Sequence, residues 1–462
     1  MERTTAKKNK YEIDMCNGTI MDKLISFSLP LMLSGILQLM FNAVDIIVVG
    51  RFSGSQALAA VGSTSALINV FTNLFIGISL GANVLTARFY AAGREKEVSE
   101  TVHTAITLAL VSGIIMALVG LVFSRGALAL MGTPDDVIGL SALYMRIYFL
   151  GMPFFMLYNY GAAILRAVGD TKRPLLFLMI AGVINACLNM VLVIVFKLGV
   201  AGVAIATVIS QMISCVLVLR CLCRSESSYR LRFSELGMKG YYLKQIFSVG
   251  VPAGIQSTVI NFSNVLLQSS VNSFGSTAMA GYTAANNLLG FLYVSVNSIT
   301  QACMSFTSQN YGVGKLKRMD RVLADCMILS VVVAVVLGCI CFFNGPETSE
   351  IYTEDAEVIA CGMEILAYTT ITYFLCGWMD LFPGALRGMG YSAVPMVLSV
   401  IGTVGTRVVW IFGIFPYHRS LAILFISYPA SWIITIILQV VCFYFVRRRV
   451  HRRSQTPAGQ EG

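Results

Sequence analysis

Charge is what this sequence has least of. Only 12% of its 462 residues are Asp, Glu, Lys or Arg, against 56% hydrophobic, and the mean hydropathy is +0.76. Soluble domains carry roughly a quarter charged residues, so a soluble globular protein is excluded. Histidine is nearly missing too, with three in the chain. No His/Cys or His/Glu cluster has metal-ligand spacing, which excludes a membrane-embedded metalloenzyme. The 12 cysteines are scattered through apolar runs. Cys221-x-Cys223 is the one tight pair, and the cysteines read as small apolar side chains. The glycine-containing loops at Arg88–Arg94 and Gln309–Lys315 lack a Gly-Lys-Ser/Thr ending, so they read as tight turns.

What remains is apolar sequence in long runs. About twelve are long enough to cross a bilayer, which takes about 20 residues each. They lie near 24–49, 57–82, 102–123, 138–164, 174–196, 201–222, 245–271, 278–306, 322–343, 358–386, 394–416 and 420–446. The first run is too long for a signal-peptide core and no cleavage-site pattern accompanies it, so no targeting segment is expected. The fold class is therefore an all-α polytopic membrane protein.

The net charge of +10 is topogenic. With both termini in the cytoplasm, most of the 33 basic residues fall on the inner side, among them Arg3, Lys7, Lys8, Lys10, Lys23, Lys315, Lys317, Arg318, Arg321 and the tail from Arg447. Arg51, Arg125, Lys197 and Arg419 are the outer ones, beside an acidic outer face at Asp135, Asp136, Glu347, Glu350, Glu354, Asp355 and Glu357. This bias fixes topology, and a nucleic-acid partner is not expected.

The sequence is also one membrane half written twice. Ala163-Ile-Leu-Arg166-Ala-Val-Gly169 returns as Gly384-Ala-Leu-Arg387-Gly-Met-Gly390. Arg166 and Arg387 stand 221 residues apart, as do Gly169 and Gly390, and Pro174 and Pro395. Six spans per half is an even number, so both halves enter the membrane in the same direction. Two six-helix lobes related by a pseudo-two-fold along the membrane normal follow, the architecture of a secondary transporter. The expected organisation is a cytoplasmic segment 1–22, an N-lobe 23–222, a linker 223–244, a C-lobe 245–447 and a basic tail 448–462. A monomeric working unit is expected.

Polar residues inside apolar runs must face protein or a water-filled cavity. Span 1 carries Gln38, Asn42 and Asp45 on one face, and Asp45 is the carboxylate of the first half that sits well within a run. Such an acid should bind a proton or a cation. Span 5 carries Asn185 and Asn189 one turn apart, and span 6 carries Thr207. These either support Asp45 or bond helices together. Span 7 repeats the stripe without acids, as Asn261, Asn264 and Gln268, which suits a polar substrate cleft. In the second half Asp380 lies on span 10, matching Asn159 in the first half, and Arg407 lies in span 11. Asp380 and Arg407 either pair or serve transport. Pro30 is expected to kink span 1.

These features together resemble the multidrug and toxic compound extrusion (MATE) family, prokaryotic type, over about Asp22 to Arg447. The residues that carry the resemblance are Pro30, Gln38, Asn42-Ala-Val-Asp45 and Gly50-Arg51, then Ala57–Gly62, and the paired Leu-Arg-x-x-Gly loops. The resemblance implies two lobes in a bacterial cytoplasmic membrane that expel small organic cations by antiport with H⁺ or Na⁺. No other cofactor or metal is implied. It implies a coupling site at Asp45, Asn185, Asn189 and Thr207, with Tyr144 as the span 4 tyrosine. Asn189 departs from the Asp often found there, and span 7 lacks the acid of some Na⁺-driven members. The alternative reading is a flippase for lipid-linked oligosaccharides of the same broad superfamily.

Overall fold

The computed structural model describes residues 11–350 and 355–455. Arg3, Lys7, Lys8 and Lys10, Glu354, and the tail beyond residue 455 lie outside the described residues. Among the described residues the regular structure is helical throughout. Spans 1–3 are α1 (Met21–Phe52), α2 (Ser55–Ala91) and α3 (Glu95–Leu130). Span 4 is a bent pair, α4 (Asp135–Leu150) and α5 (Met152–Ala167), at 46°. Span 5 is α6 (Lys172–Asn189) running into a π-helical segment, Met190–Val195. Spans 6–9 are α7 (Gly199–Cys223), α8 (Gly240–Asn272), α9 (Ser276–Gly312) and α10 (Leu316–Phe343). A short α11 (Gly345–Glu350) follows. Span 10 is the second bent pair, α12 (Ala356–Thr369) and α13 (Tyr373–Gly388), at 51°. Span 11 alternates α14 (Ala393–Ser399), a π segment Val400–Gly405, α15 (Thr406–Val409) and a second π segment Trp410–Ile414. Span 12 is α16 (Leu421–Gln455).

Eight of these helices are individually long and apolar enough to cross a membrane, and ten once each bent pair is one span. The remaining two, α8 and α9, have 33 and 37 residues. Their amide stripes (Asn261, Asn264 and Gln268 in α8, Asn286, Asn287, Asn297 and Gln301 in α9) dilute the apolar signal. The twelve spans expected from sequence are therefore present, in two compact units.

The first unit takes residues 1–13 and 33–251, and the second takes 14–32 and 252–462. Two helices thus contribute to both. Pro252 begins the second unit's part of α8, and Pro30 lies just before the first unit's part of α1. Each proline removes one backbone hydrogen bond from its helix, yet α1 and α8 are continuous through them. The stretch 223–244 belongs to the first unit and is tied to α3. Arg232 N donates to His103 Nε2 at 3.1 Å, and Lys239 N to Thr104 Oγ1 at 3.3 Å.

Close packing in the first unit uses small residues, as membrane interfaces do. Gly81 on α2 lies against the Ile246 carbonyl of α8, and Gly250 lies against the Ile78 backbone, so the two helices cross glycine to backbone twice. The duplicated loops share one closure. Gly169 and Gly390 adopt φ 96° and 92°, the left-handed region that glycine fills at a helix end. Asp170 N then reaches Leu165 O at 2.9 Å, and Tyr391 N reaches Leu386 O at 2.9 Å. The repeated Leu-Arg-x-x-Gly sequence is thus a repeated helix stop.

Candidate functional site

In the first unit, the structure brings together Asp45, Asn185, Asn189 and Thr207 from α1, α6 and α7. Asn189 Nδ2 donates to Asp45 Oδ1 and, at 3.2 Å, to Asn185 Oδ1. Asn185 Nδ2 reaches Thr207 Oγ1 at 3.5 Å, and the Thr207 hydroxyl donates to Val203 O at 3.0 Å. The Thr207 hydroxyl also stands close enough to act on the Asp45 carboxylate. Both Asn189 protons are used, so the chain of donors runs out at Asn189. Its Oδ1 is buried and has no hydrogen-bond partner among the described residues. An orphaned buried acceptor costs about 1–3 kcal/mol, and here it sits on the residue that bonds a carboxylate.

Helix geometry explains the cluster. Asn185 and Asn189 are one turn apart on α6, so both amides face α1. At Asn189 the helix changes from α to π. Such bulges often mark functional positions, because the wider turn re-aims the side chains beside it. Phe41, one turn before Asp45, packs its ring against Gly182, one turn before Asn185. That contact sets the separation of the two helices at the site. Tyr144 and Tyr148 of α4 stack at 6.2 Å between centroids, and both lie within electrostatic reach of Asp45. Gln38 and Asn42 share the Asp45 helix but make no hydrogen bond to it, and both are exposed. Asn159 spends its amide on its own helix, donating to Phe155 O at 2.8 Å.

In the second unit, Arg407 is 3% exposed and sits in the α15 turn between the two π segments. Its Nη1 donates to Asn264 Oδ1 at 2.7 Å and Ser263 Oγ at 3.1 Å, its Nε donates to Ser431 Oγ at 3.4 Å, and its guanidinium lies 4.6 Å from the Tyr428 ring centroid. It forms no ion pair with Asp380. Asp380 is seven residues from Arg387 on α13, hence on the same face, and that arginine is the basic group that acts on it. Arg387 Nη2 in turn donates to Gln256 Oε1 at 2.5 Å. Asn264 thus holds Arg407, while Asn261 and Gln268 on the same helix are exposed. Replacing Asn264 with Ala takes the one amide acceptor from a buried guanidinium. The expected loss is about 1.5–3 kcal/mol of stability, read as a lower melting temperature of the purified protein.

Sequence reasoning missed Ser263, Ser431 and Tyr428 around Arg407, and Phe41 and Gly182 behind Asp45. Serine, tyrosine and glycine are frequent in membrane helices, so none stands out in one sequence. The 221-residue offset does pair Trp410, which opens a π segment, with Asn189, which directly precedes one.

A duplicated twelve-span helical membrane protein with ionisable residues within the spans of each unit belongs to the class of secondary transporters. The particular family follows from comparison. A family profile described as MatE matches residues 30–191 and again 252–412, and the chain belongs to that family of transporters. It is a multi-pass membrane protein and not an enzyme. Over 434 residues it is 31% identical to the probable multidrug resistance protein YoeA of Bacillus subtilis, covering 92% of this chain and 93% of the relative. It is 23% identical over 382 residues to the multidrug export protein MepA of Staphylococcus aureus, covering 82% and 84%. A solved MOP superfamily transporter from Pyrococcus furiosus shares the fold with a TM-score of 0.88 at 19% identity, covering 97% of this chain and all of that one.

Proposed function

We propose that this chain exports organic cations and amphiphilic drugs across a bacterial cytoplasmic membrane, by antiport with H⁺ or Na⁺. The termini face the cytoplasm and alternating access moves the substrate. The observation that carries the reading is the Asp45 cluster: one intramembrane carboxylate, held by Asn189, whose own Oδ1 is buried without a partner among the described residues. Oxygens from one carboxylate, two amides and one hydroxyl suit a hard monovalent cation, and the same carboxylate suits a proton. The relatives named for multidrug resistance and export support the substrate class. Within the first unit Gln38, Asn42 and Asn159, and within the second Asn261, Asn264, Gln268, Asp380 and Arg407, offer further polar groups to substrates.

Binding of the coupling cation neutralises Asp45. Its attraction for a cationic substrate falls and its bond from Asn189 changes, so ion and substrate compete for one charge. Proteoliposomes loaded with a fluorescent organic cation test this directly. An imposed pH or Na⁺ gradient should drive export, and the effective gradient identifies the ion. Transport indifferent to both gradients would sink the antiport reading.

Asn189→Asp supplies the second carboxylate often present in the family. Two carboxylates at hydrogen-bonding distance cannot both ionise freely. The variant should therefore bind its coupling cation more tightly and move its half-maximal transport to lower Na⁺ or higher pH by about tenfold or one unit, since one unit equals roughly 1.4 kcal/mol. An unmoved activation profile would remove Asn189 from the ion site.

A further inference from the structure

The second unit contains a cavity of about 470 Å³ lined by Gly18, Thr19, Ile20, Lys317, Arg318 and Arg321, a size within the roughly 300–1,000 Å³ of small-ligand sites. Half of its lining residues are cationic and none is acidic. It lies where two membrane-spanning helices begin, since Ile20 directly precedes α1 and Lys317 and Arg321 occupy the first turns of α10. The apolar runs of these two spans begin near residues 24 and 322, so the cavity lies at the polar end of both.

The three cations do different jobs. Each guanidinium nitrogen of Arg318 donates a bond inside the protein. Its Nε donates to Met15 O at 3.2 Å, Nη1 to Gly18 O at 2.9 Å and Nη2 to Asn17 O at 3.1 Å. Lys315 adds bonds to Cys16 O and Asn17 Oδ1, each at 2.8 Å. Together they clamp the turn that forms one wall. Lys317 and Arg321 are exposed, four residues apart on one face of α10, and neither makes a hydrogen bond or ion pair among the described residues. The nearby acids Asp14 and Asp320 are occupied. Asp14 accepts from Cys16 N and Asn17 Nδ2, and Asp320 pairs with Arg447 at 2.6 Å. Asp22 in the first turn of α1 is exposed and does not line the cavity.

The duplicated half provides an internal control. At an offset of 221, Lys317, Arg318 and Arg321 match Lys96, Glu97 and Glu100; at 222, Gly18, Thr19 and Ile20 match Gly240, Tyr241 and Tyr242. In the first unit that corner is neutralised from within: Lys239 Nζ bonds Glu100, and the Tyr242 ring packs edge-on against Phe89 at 6.1 Å. In the second unit the acids are arginines and the tyrosines are smaller residues. A corner that carries paired charges and packed rings in one copy is cationic in the other.

We propose that this cavity binds the phosphate group of an anionic phospholipid headgroup, with Lys317 and Arg321 as its ligands and the clamped Gly18–Ile20 turn as its wall. Basic pockets at helix ends beside the membrane surface recognise such headgroups, and arginine matches phosphate geometry particularly well. The acyl chains then run along α1 and α10 in the bilayer. A free phosphate ion has the same recognising chemistry, and the test separates the two.

The full chain is reconstituted in phosphatidylcholine nanodiscs with increasing phosphatidylglycerol, and retained lipid is read by native mass spectrometry. Three proteins are compared: the unaltered chain, K317Q/R321Q, and R448Q/R449Q, which removes two exposed cations of α16. Each basic side chain near an anionic surface changes binding about fivefold, so K317Q/R321Q should retain phosphatidylglycerol roughly thirtyfold more weakly. The α16 variant, with the same net charge, loses surface attraction but no ligand of the site, and should retain phosphatidylglycerol more strongly than K317Q/R321Q. A melting curve of each variant in phosphatidylcholine alone checks that the fold persists. Equal retention by K317Q/R321Q and the unaltered chain would overturn the site. Stabilisation by millimolar inorganic phosphate, without preference for phosphatidylglycerol over phosphatidylcholine, would overturn the lipid assignment.

Discussion

Asp45→Asn should abolish gradient-driven efflux while leaving the protein folded. The substitution keeps the volume of the side chain and an oxygen to accept from Asn189 Nδ2, so the packing of α1 on α6 has no reason to change. What disappears is the charge. A hydrogen bond or contact to a charged group contributes about 1.5–3 kcal/mol, which is roughly ten- to hundredfold in cation affinity. Because no second carboxylate stands in the Asn185–Asn189–Thr207 cluster, nothing replaces it. Two readouts follow. In proteoliposomes, efflux driven by a pH or Na⁺ gradient should fall to background. In purified protein, the rise in melting temperature that accompanies binding of the coupling cation should vanish. Full activity, or an unchanged cation-dependent shift, would place the coupling site elsewhere.

How much of this was visible in the sequence depends on the residue type involved. Asp45, Asn185, Asn189 and Thr207 stood out because each is a polar group in an apolar run, and helical spacing put the two asparagines on one face. The structure brings those four together. The gap of seven residues between Asp380 and Arg387 carried the same helical information, and it describes the second unit better than a pairing of Asp380 with Arg407. Arg407 itself was legible, but its neighbours were not. Ser263 and Ser431 are ordinary in membrane helices, and only the packing of α8, α15 and α16 makes them ligands of a guanidinium. The π segments after Asn189 and on both sides of Arg407 were equally hidden. A π turn adds one residue to the ring of a backbone hydrogen bond, which leaves no mark on composition and little on periodicity. Neither sequence spacing nor a repeat can reveal a cavity whose walls come from residues 18–20 and 317–321.

Gly182→Val should cost transport almost as much as losing Asp45, although Gly182 carries no chemistry. A carbon added at Gly182 would lie 1.8 Å from Phe41 Cε2 and 1.9 Å from Phe41 Cζ. Valine adds two methyl groups beyond that carbon, and its stiff χ1 leaves them no way around the ring. Overpacking of this kind costs about 1–3 kcal/mol, and where the Phe41 ring tip does not swing aside, the relief is to move α1 away from α6. Phe41 precedes Asp45 by one turn, and Gly182 precedes Asn185 by one turn and Asn189 by two. Separating the helices at that contact therefore separates Asp45 from Asn189. The expected outcome is a transport rate reduced at least tenfold, an effect corresponding to about 1.4 kcal/mol or more, with a melting temperature lowered by only a few degrees. Phe41→Ala in the same chain removes the obstructing ring. The double variant should then recover most of the lost rate, a coupling that a double-mutant cycle measures. If the two substitutions are additive, the ring and the glycine do not set the helix spacing, and the site owes its geometry to some other contact.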